Sequence, residues 1–179
     1  MPTYYITTLN IAIPLFVSLI LFEILYAKII DKGYVIRSMD TLSSLCSGLT
    51  NVIRDVLGLT IVIISYSYMV ENFAIFKIET SWLLYLIAFI GLDFAGYWVH
   101  RINHSVNYFW NHHIIHHSSE EFNLACALRQ SISNFFSLTF IFLIPTAIIG
   151  VPAEVITFLA PIHLFAQYWY HTRLIGKLG

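Results

Sequence analysis

The residues best suited to do chemistry are the histidines, and they are not spread evenly. All 8 lie from His100 onward, and the chain has 179 residues. Residues 93–117 read DFAGYWVHRINHSVNYFWNHHIIHH. His100 and His104 are four apart, which on a helix stacks them on one face, one turn apart. Tyr97 and Asp93 continue that face backward. Neutral imidazole is a good ligand for iron, zinc and copper. A ligating histidine commonly gives its other N–H to a carboxylate or carbonyl. Asp93, directly or through Tyr97, is placed to be such an outer partner. The competing reading is a buried carboxylate paired with a cation elsewhere.

The second cluster is His112, His113, His116 and His117. On a helix His113, His116 and His117 share a face, and His112 points about 100° away. The spacing makes His113, His116 and His117 ligands and His112 a polar residue at the interface. Together with His100 and His104 they exceed what one closed tetrahedral zinc site takes. They fit more than one metal, or a higher coordination number. Near the end of the chain, His163, Gln167 and His171 follow one another at four-residue spacing along an aromatic, apolar stretch. His171, at the end level with the other clusters, is a further candidate ligand. His163 lies two turns deeper, roughly 12 Å, and reads as a polar group lining a cavity. Gln167, between them, is grouped with the outer partners. Cys46 and Cys126 form no metal-type pair and read as small apolar residues in helices.

The elements that must carry these groups are apolar. Hydrophobic residues make up 58% of the chain and charged ones 11%, against about 25% charged in soluble domains. A chain of this length and composition belongs in a membrane. A net charge of −1 gives no basic surface for nucleic acid. The N-terminus lacks the features of a cleaved signal, so the first apolar run is expected to be retained. Five apolar stretches stand out, at residues 9–30, 52–70, 82–99, 135–149 and 154–170. The first suits a single span. The second carries Arg54 and Asp55 at its leading edge, and the third runs into His100. The fourth is short for a span. Gly150, Val151 and Pro152 join the last two into an expected helical hairpin. Ser118-x-x-Glu121 has the form of a capping box and predicts a helix start. Asn123, Arg129 and Gln130 would follow on it, either bordering the metal site or sitting at the interface.

No stretch alternates as a barrel strand would. The expected fold class is therefore all-α: an integral membrane helical bundle with a histidine-rich cytosolic metal site. If the spans alternate, Lys28, Lys32, Arg37, Arg101, Arg129, Arg173 and Lys177 fall on one side and Lys77 alone on the other. The positive-inside rule then puts the histidines in the cytosol and the N-terminus outside.

The pattern Asp93-x3-Tyr97-Trp98-x-His100-Arg101-x2-His104, followed by His113-x2-His116-His117, resembles the sterol desaturase / fatty acid hydroxylase superfamily. The resemblance covers roughly residues 37–179. The runs WNHHIIHHSSEEFNLACALRQS and QYWYHTRLIGKLG are similar to its alkylglycerol monooxygenase-like branch. The first apolar stretch gives an expected N-terminal transmembrane segment at residues 1–36, and the resemblance implies a partial fatty acid hydroxylase-type domain at residues 37–179. It also implies a multi-pass membrane oxygenase whose iron cofactor is a di-iron centre held mainly by histidines. His100, His104, His113, His116, His117 and His171 match the family's ligand positions. Such an enzyme uses O2 and two electrons to hydroxylate, desaturate or cleave a membrane lipid, and breaking an unactivated C–H bond needs a redox metal rather than zinc.

The chain has no GxGxxG fingerprint, so the electrons come from outside. The family suggests a cytochrome b5-type or ferredoxin-type donor, or a reduced pterin. The implied location is the endoplasmic reticulum in a eukaryote and the inner membrane in a bacterium. The family carries a further HxxHH cluster beyond the position of Gly179. The sequence is therefore expected to be truncated at its C-terminus, with its ligand set incomplete. A catalytically inactive or truncated membrane metal-binding protein is the alternative. A metal transporter would spread ligands along a path through the spans, whereas these gather at one end.

Overall fold

The computed structural model describes residues 3–30, 36–57, 65–133 and 138–175, with side chains in the first helix from Asn10 onward. Helix α4 (Trp82–Ser105) is the central element. Its start is fixed by Ser81, whose hydroxyl accepts the Leu84 N–H at 3.3 Å and satisfies one of the unpaired donors of the first turn. Leu84, Ala88, Leu92 and Ala95 recur at helical spacing and are buried. Helices α6 (Thr139–Ile149) and α7 (Ala153–Tyr168) cover that stripe, contributing Leu143, Val155, Ile156 and Leu159 to one core. A Cβ on Gly91 would lie 2.5 Å from Thr146 Oγ1. Small residues therefore let α4 and α6 approach closely, the usual basis of helix association in lipid.

Helix α6 ends at Gly150, whose φ of 98° is a left-handed C-terminal cap. A Cβ there would collide with the Phe76 carbonyl oxygen, so the turn requires glycine twice over. The turn of the expected hairpin is present, but α6 and α7 each pack on α4 and not along one another.

Helix α1 (Thr3–Ile29) runs beside α7, where the Phe16 and Tyr168 rings meet edge to face with centroids 4.6 Å apart. The stretch expected as the second span is not one helix. Helix α2 (Ser38–Val56) closes at Leu57, and α3 (Tyr66–Phe73) starts anew behind a Ser65 cap. Residues 58–64 fall outside the described residues. Arg54 and Asp55, expected at the leading edge of a span, instead close α2. Helix α3 packs on α6 and α7, and the Tyr66 hydroxyl donates to the Val151 carbonyl at 3.0 Å.

Every regular element among the described residues is helical. Two helices have the length and apolarity to cross a membrane, Asn10–Ile29 and Trp82–Ser105. The fourth apolar stretch forms α6, with 11 residues, and the fifth forms α7, with 16; α6 is short for a span, as its sequence suggests.

Candidate metal centre

The C-terminal turns of α4 carry His100 and His104, as the four-residue spacing requires. Their Nε2 atoms are 3.1 Å apart. Val106 breaks the helix with an extended backbone, and the chain turns back through α5 (Asn107–His113). The helix on which His113, His116 and His117 would share a face is not formed. After α5 the backbone tightens into a 3-10 turn, His116–Ser118. Tightening separates neighbours that an α-helix would keep on one face. His117 Nε2 lies 3.2 Å from His113 Nε2 and 3.2 Å from His104 Nε2. His116 faces away, and its Nε2 lies 3.3 Å from that of His171, on the 3-10 turn that ends α7.

The first four nitrogens do not form an ordinary hydrogen-bonded set. A neutral Nε2 either donates one hydrogen or accepts one. Since His104 and His117 each stand in two of the three contacts, hydrogen bonds can satisfy at most two of them. All four ligand atoms lie within 4.8 Å of one another. Imidazoles at about 2.0–2.1 Å from a shared ion place their nitrogens roughly 3–4 Å apart. His100, His104, His113 and His117 thus fit a metal better than they fit each other. His116 and His171 form a second, adjoining donor pair, with the His113 and His116 ring centroids 5.4 Å apart. A cleft of about 370 Å³ opens onto His100, His116, His117 and His171.

Protonation favours ligation. Burial, and then the neighbouring His100, push His113 down to about 3. Burial pushes His116 down to about 4, against the opposing effect of the Arg129 carbonyl. Burial lowers His117 and His171 as well. These rings are neutral at pH 7, the form a metal binds. His116 Nδ1 donates to the Arg129 carbonyl at 3.1 Å, leaving its Nε2 as the lone-pair nitrogen.

The loop that carries this carbonyl is gripped from two sides. On one side α2 presents Arg37, Asp40, Ser44, Ser47, Asn51 and Arg54 at spacings of three and four. The Arg129 guanidinium, 7% exposed, donates to Asp40 Oδ1 at 2.7 Å and to Ser44 Oγ at 3.1 Å. Ser47 and Asn51 donate to the Gln130 carbonyl at 2.7 and 3.0 Å. Arg37 pairs with Glu120 and with Glu121, the latter at 3.1 Å. Glu121 is drawn to Arg37, and so it does not fold back on Ser118. The helix expected to start at Ser118 is absent; Asn123 instead caps a 3-10 turn, Leu124–Leu128.

On the other side stands Glu23 of α1, 2% exposed. It accepts the Leu124 N–H at 2.7 Å and the Thr172 hydroxyl at 2.5 Å. One carboxylate therefore ties the loop behind His116 to the residue after His171. Sequence reasoning passed over Glu23, although a carboxylate inside an apolar span is a signal by itself. It also left Arg129 open between site and interface, and its carbonyl touches the site while its guanidinium holds the loop.

The other candidates lie elsewhere. Asp93 Oδ1 is 3.2 Å from His163 Nε2, and the Tyr97 hydroxyl accepts from Arg101 at 2.7 Å. The expected link from Asp93 or Tyr97 to His100 is not made, because α4 turns both toward other partners. Gln167 Nε2 sits 3.5 Å from His163 Nε2, packed on α4 at Gly96. His112 Nδ1 lies 3.0 Å from Ser133 Oγ, away from the histidine groups.

The fatty acid hydroxylase family model matches residues 85–179. The chain is 36% identical over 170 residues to an alkylglycerol monooxygenase from Homo sapiens, covering 94% of the chain and 38% of that protein. A Danio rerio protein of the same name is 36% identical over 172 residues, covering 95% of the chain and 38% of the relative. The Xenopus tropicalis one is 38% identical over 155 residues, covering 83% and 33%. The chain thus spans well under half the length of these curated relatives. No solved structure matches it. The matched region holds every histidine of both donor groups, and the chain belongs to the fatty acid hydroxylase family, on its alkylglycerol monooxygenase-like side.

Proposed function

We propose that the whole protein is a multi-pass membrane monooxygenase that uses a pair of irons, O2 and an external electron donor to oxidise a C–H bond of a membrane lipid. The observation that carries this reading is the convergence of His100, His104, His113 and His117 at 3.1–3.2 Å between successive Nε2 atoms, beside the His116–His171 pair. His100, His104, His113 and His117 would hold one iron, and His116 and His171 would contribute to the second. Bound iron supplies redox reactivity toward O2, which zinc cannot. The names of the relatives favour a glycerol ether lipid as substrate.

The chain's own residues account for the rest. Burial keeps His113 and His116 neutral, and the Arg129 carbonyl fixes the His116 tautomer. The cleft opening on His100 and His171 gives a lipid tail access from the side. The two apolar helices support a membrane setting, and the distribution of Lys and Arg is what favours the histidines at its cytosolic face. The reductant would be a cytochrome b5-type or ferredoxin-type protein or a reduced pterin, as the family resemblance implies.

The test is iron content and oxidation of an alkylglycerol by the purified full-length protein and by its His113→Ala and His117→Ala variants. The reading expects each variant to lose iron and product formation at least about tenfold, as losing even an outer partner of a metal does. Iron content unchanged in both variants would overturn it.

A further inference from the structure

Helix α2 is built the opposite way round from a surface helix in water. Its residues at 40, 44, 47, 51 and 54 face inward onto the loop behind His116, and Arg37 at its start pairs with Glu120 and Glu121. Two positions beyond each, a rotation of about 200°, come Met39, Leu42, Cys46, Leu49, Ile53 and Val56. This row faces outward. Met39 is 78% exposed, Leu42 55%, Leu49 60%, Ile53 49% and Val56 56%, and Cys46 is exposed too. From Met39 to Val56 the row extends roughly 25 Å with no charged residue in it. A water-facing helix carries its charges outward; α2 spends its charges inward and shows its apolar side.

The row is continuous with a surface suited to lipid. Helix α1 has the length and apolarity of a span up to Ile29, and its outward residues include Leu25 at 59% and Ile29 at 80% exposed. Residues 30–37 can bridge at most roughly 28 Å to the start of α2. The loop under α2 is also held by Glu23, six residues before the end of α1, or roughly 9 Å along its axis. Helix α2 and the last turns of the α1 span therefore flank the same loop. Crossing the bilayer is closed to α2, since its inner face is committed to that loop and to the Arg129–Asp40 ion pair.

We infer that α2 is an interfacial helix that lies in the plane of the bilayer surface, with the row from Met39 to Val56 sunk at the boundary of headgroups and acyl chains. The occupant of this face is phospholipid. The inference rests on the membrane setting proposed above. It gives that setting a structural role, because the helix that meets the lipid is the one that holds the loop orienting His116.

The full-length protein in phosphatidylcholine liposomes tests it, with Cys46 as the sole cysteine and an environment-sensitive fluorophore on it. Companion variants move the cysteine to Leu42→Cys, Leu49→Cys and Ile53→Cys. The expected result is loss of fluorescence with nitroxide lipids labelled near the glycerol, none with aqueous iodide, and the same depth at all four positions. Quenching by iodide alone means the face meets water. Quenching by neither means that protein covers it. A depth that changes steadily along the helix means that it crosses. Each of these three results overturns the inference. Iron measured on the same samples separates the two readings: loss of iron at an unchanged shallow depth counts against the metal site, and iron retained without lipid quenching counts against the interfacial helix.

Discussion

His100 and His104 ride on consecutive turns of α4, whereas His116 and His117 sit on a 3-10 turn that no helix continues. The first pair is held by the regular backbone of a 24-residue helix packed on α6 and α7. The second is held by side chains that arrive from 83 to 101 residues away in sequence, through Ser47, Asp40, Arg37 and Glu23. One half of the centre is preorganised by local structure and the other by a polar network that is buried at Arg129, Asp40 and Glu23. The second arrangement is costlier to lose, because a broken buried network leaves unpaired groups in a poorly hydrated place.

The sharpest way to separate the halves is Arg129→Met. It removes one partner of a buried ion pair whose side chains are 8% and 13% exposed, a change that costs about 3–5 kcal/mol. The expected outcome in the full-length protein is a lower melting temperature and loss of iron bound by the His116 side. His100 and His104, on α4, should keep their packing. An unchanged melting temperature would show that the loop is not held by this network. Next comes Glu23→Gln. It leaves two hydrogen bonds weakened or one donor unpaired, at about 1–3 kcal/mol, and it should lower iron content without altering the fold seen by circular dichroism. Normal iron content in this variant would remove Glu23 from the site.

The pH response comes third. The folded pKa values of His113 and His116, about 3 and about 4, lie below the ordinary value of 6.5. Between these values the unfolded chain binds more protons than the folded one. Stability is therefore full above pH 6.5 and falls as the pH drops through the interval toward 4 and 3. Thermal melts of the metal-free protein from pH 7 to 4 should show this decline, and His116→Asn should flatten it. A melting temperature independent of pH over that range would contradict the buried, neutral state of the rings. The smallest effect belongs to His112→Ala. His112 bonds Ser133 outside the histidine groups, so its loss should change stability by no more than about 0.5 kcal/mol and leave iron content as it was.

The same contrast explains what could be read from the sequence. The four-residue spacing of His100 and His104 is local information, and α4 obeys it. His113 and His117 converge as well, although a turn and not a continuous helix joins them. The turn at residues 114–118 was not legible, because helical geometry was extrapolated past a point where Arg37 and Arg129 pull the chain elsewhere. The capping box at Ser118 failed on one residue, Glu121, whose carboxylate has a better partner in Arg37. The apolar run at residues 52–70 concealed the end of α2 and the start of α3. Its true signal is a polar row with a period near 3.5 that begins at Arg37, upstream of the apolar run. Asp93 is expected to partner a ligating histidine of its own helix, yet its partner is His163 of α7, which no spacing within α4 could reveal.

The central claim is that this chain's imidazoles converge on iron. X-ray absorption at the iron edge of the purified full-length protein tests it most directly. The account expects a first shell dominated by nitrogen, with the multiple scattering of imidazole rings, and a loss of that scattering in His113→Ala and His117→Ala. A first shell of oxygen ligands, or an unchanged spectrum in both variants, would contradict it.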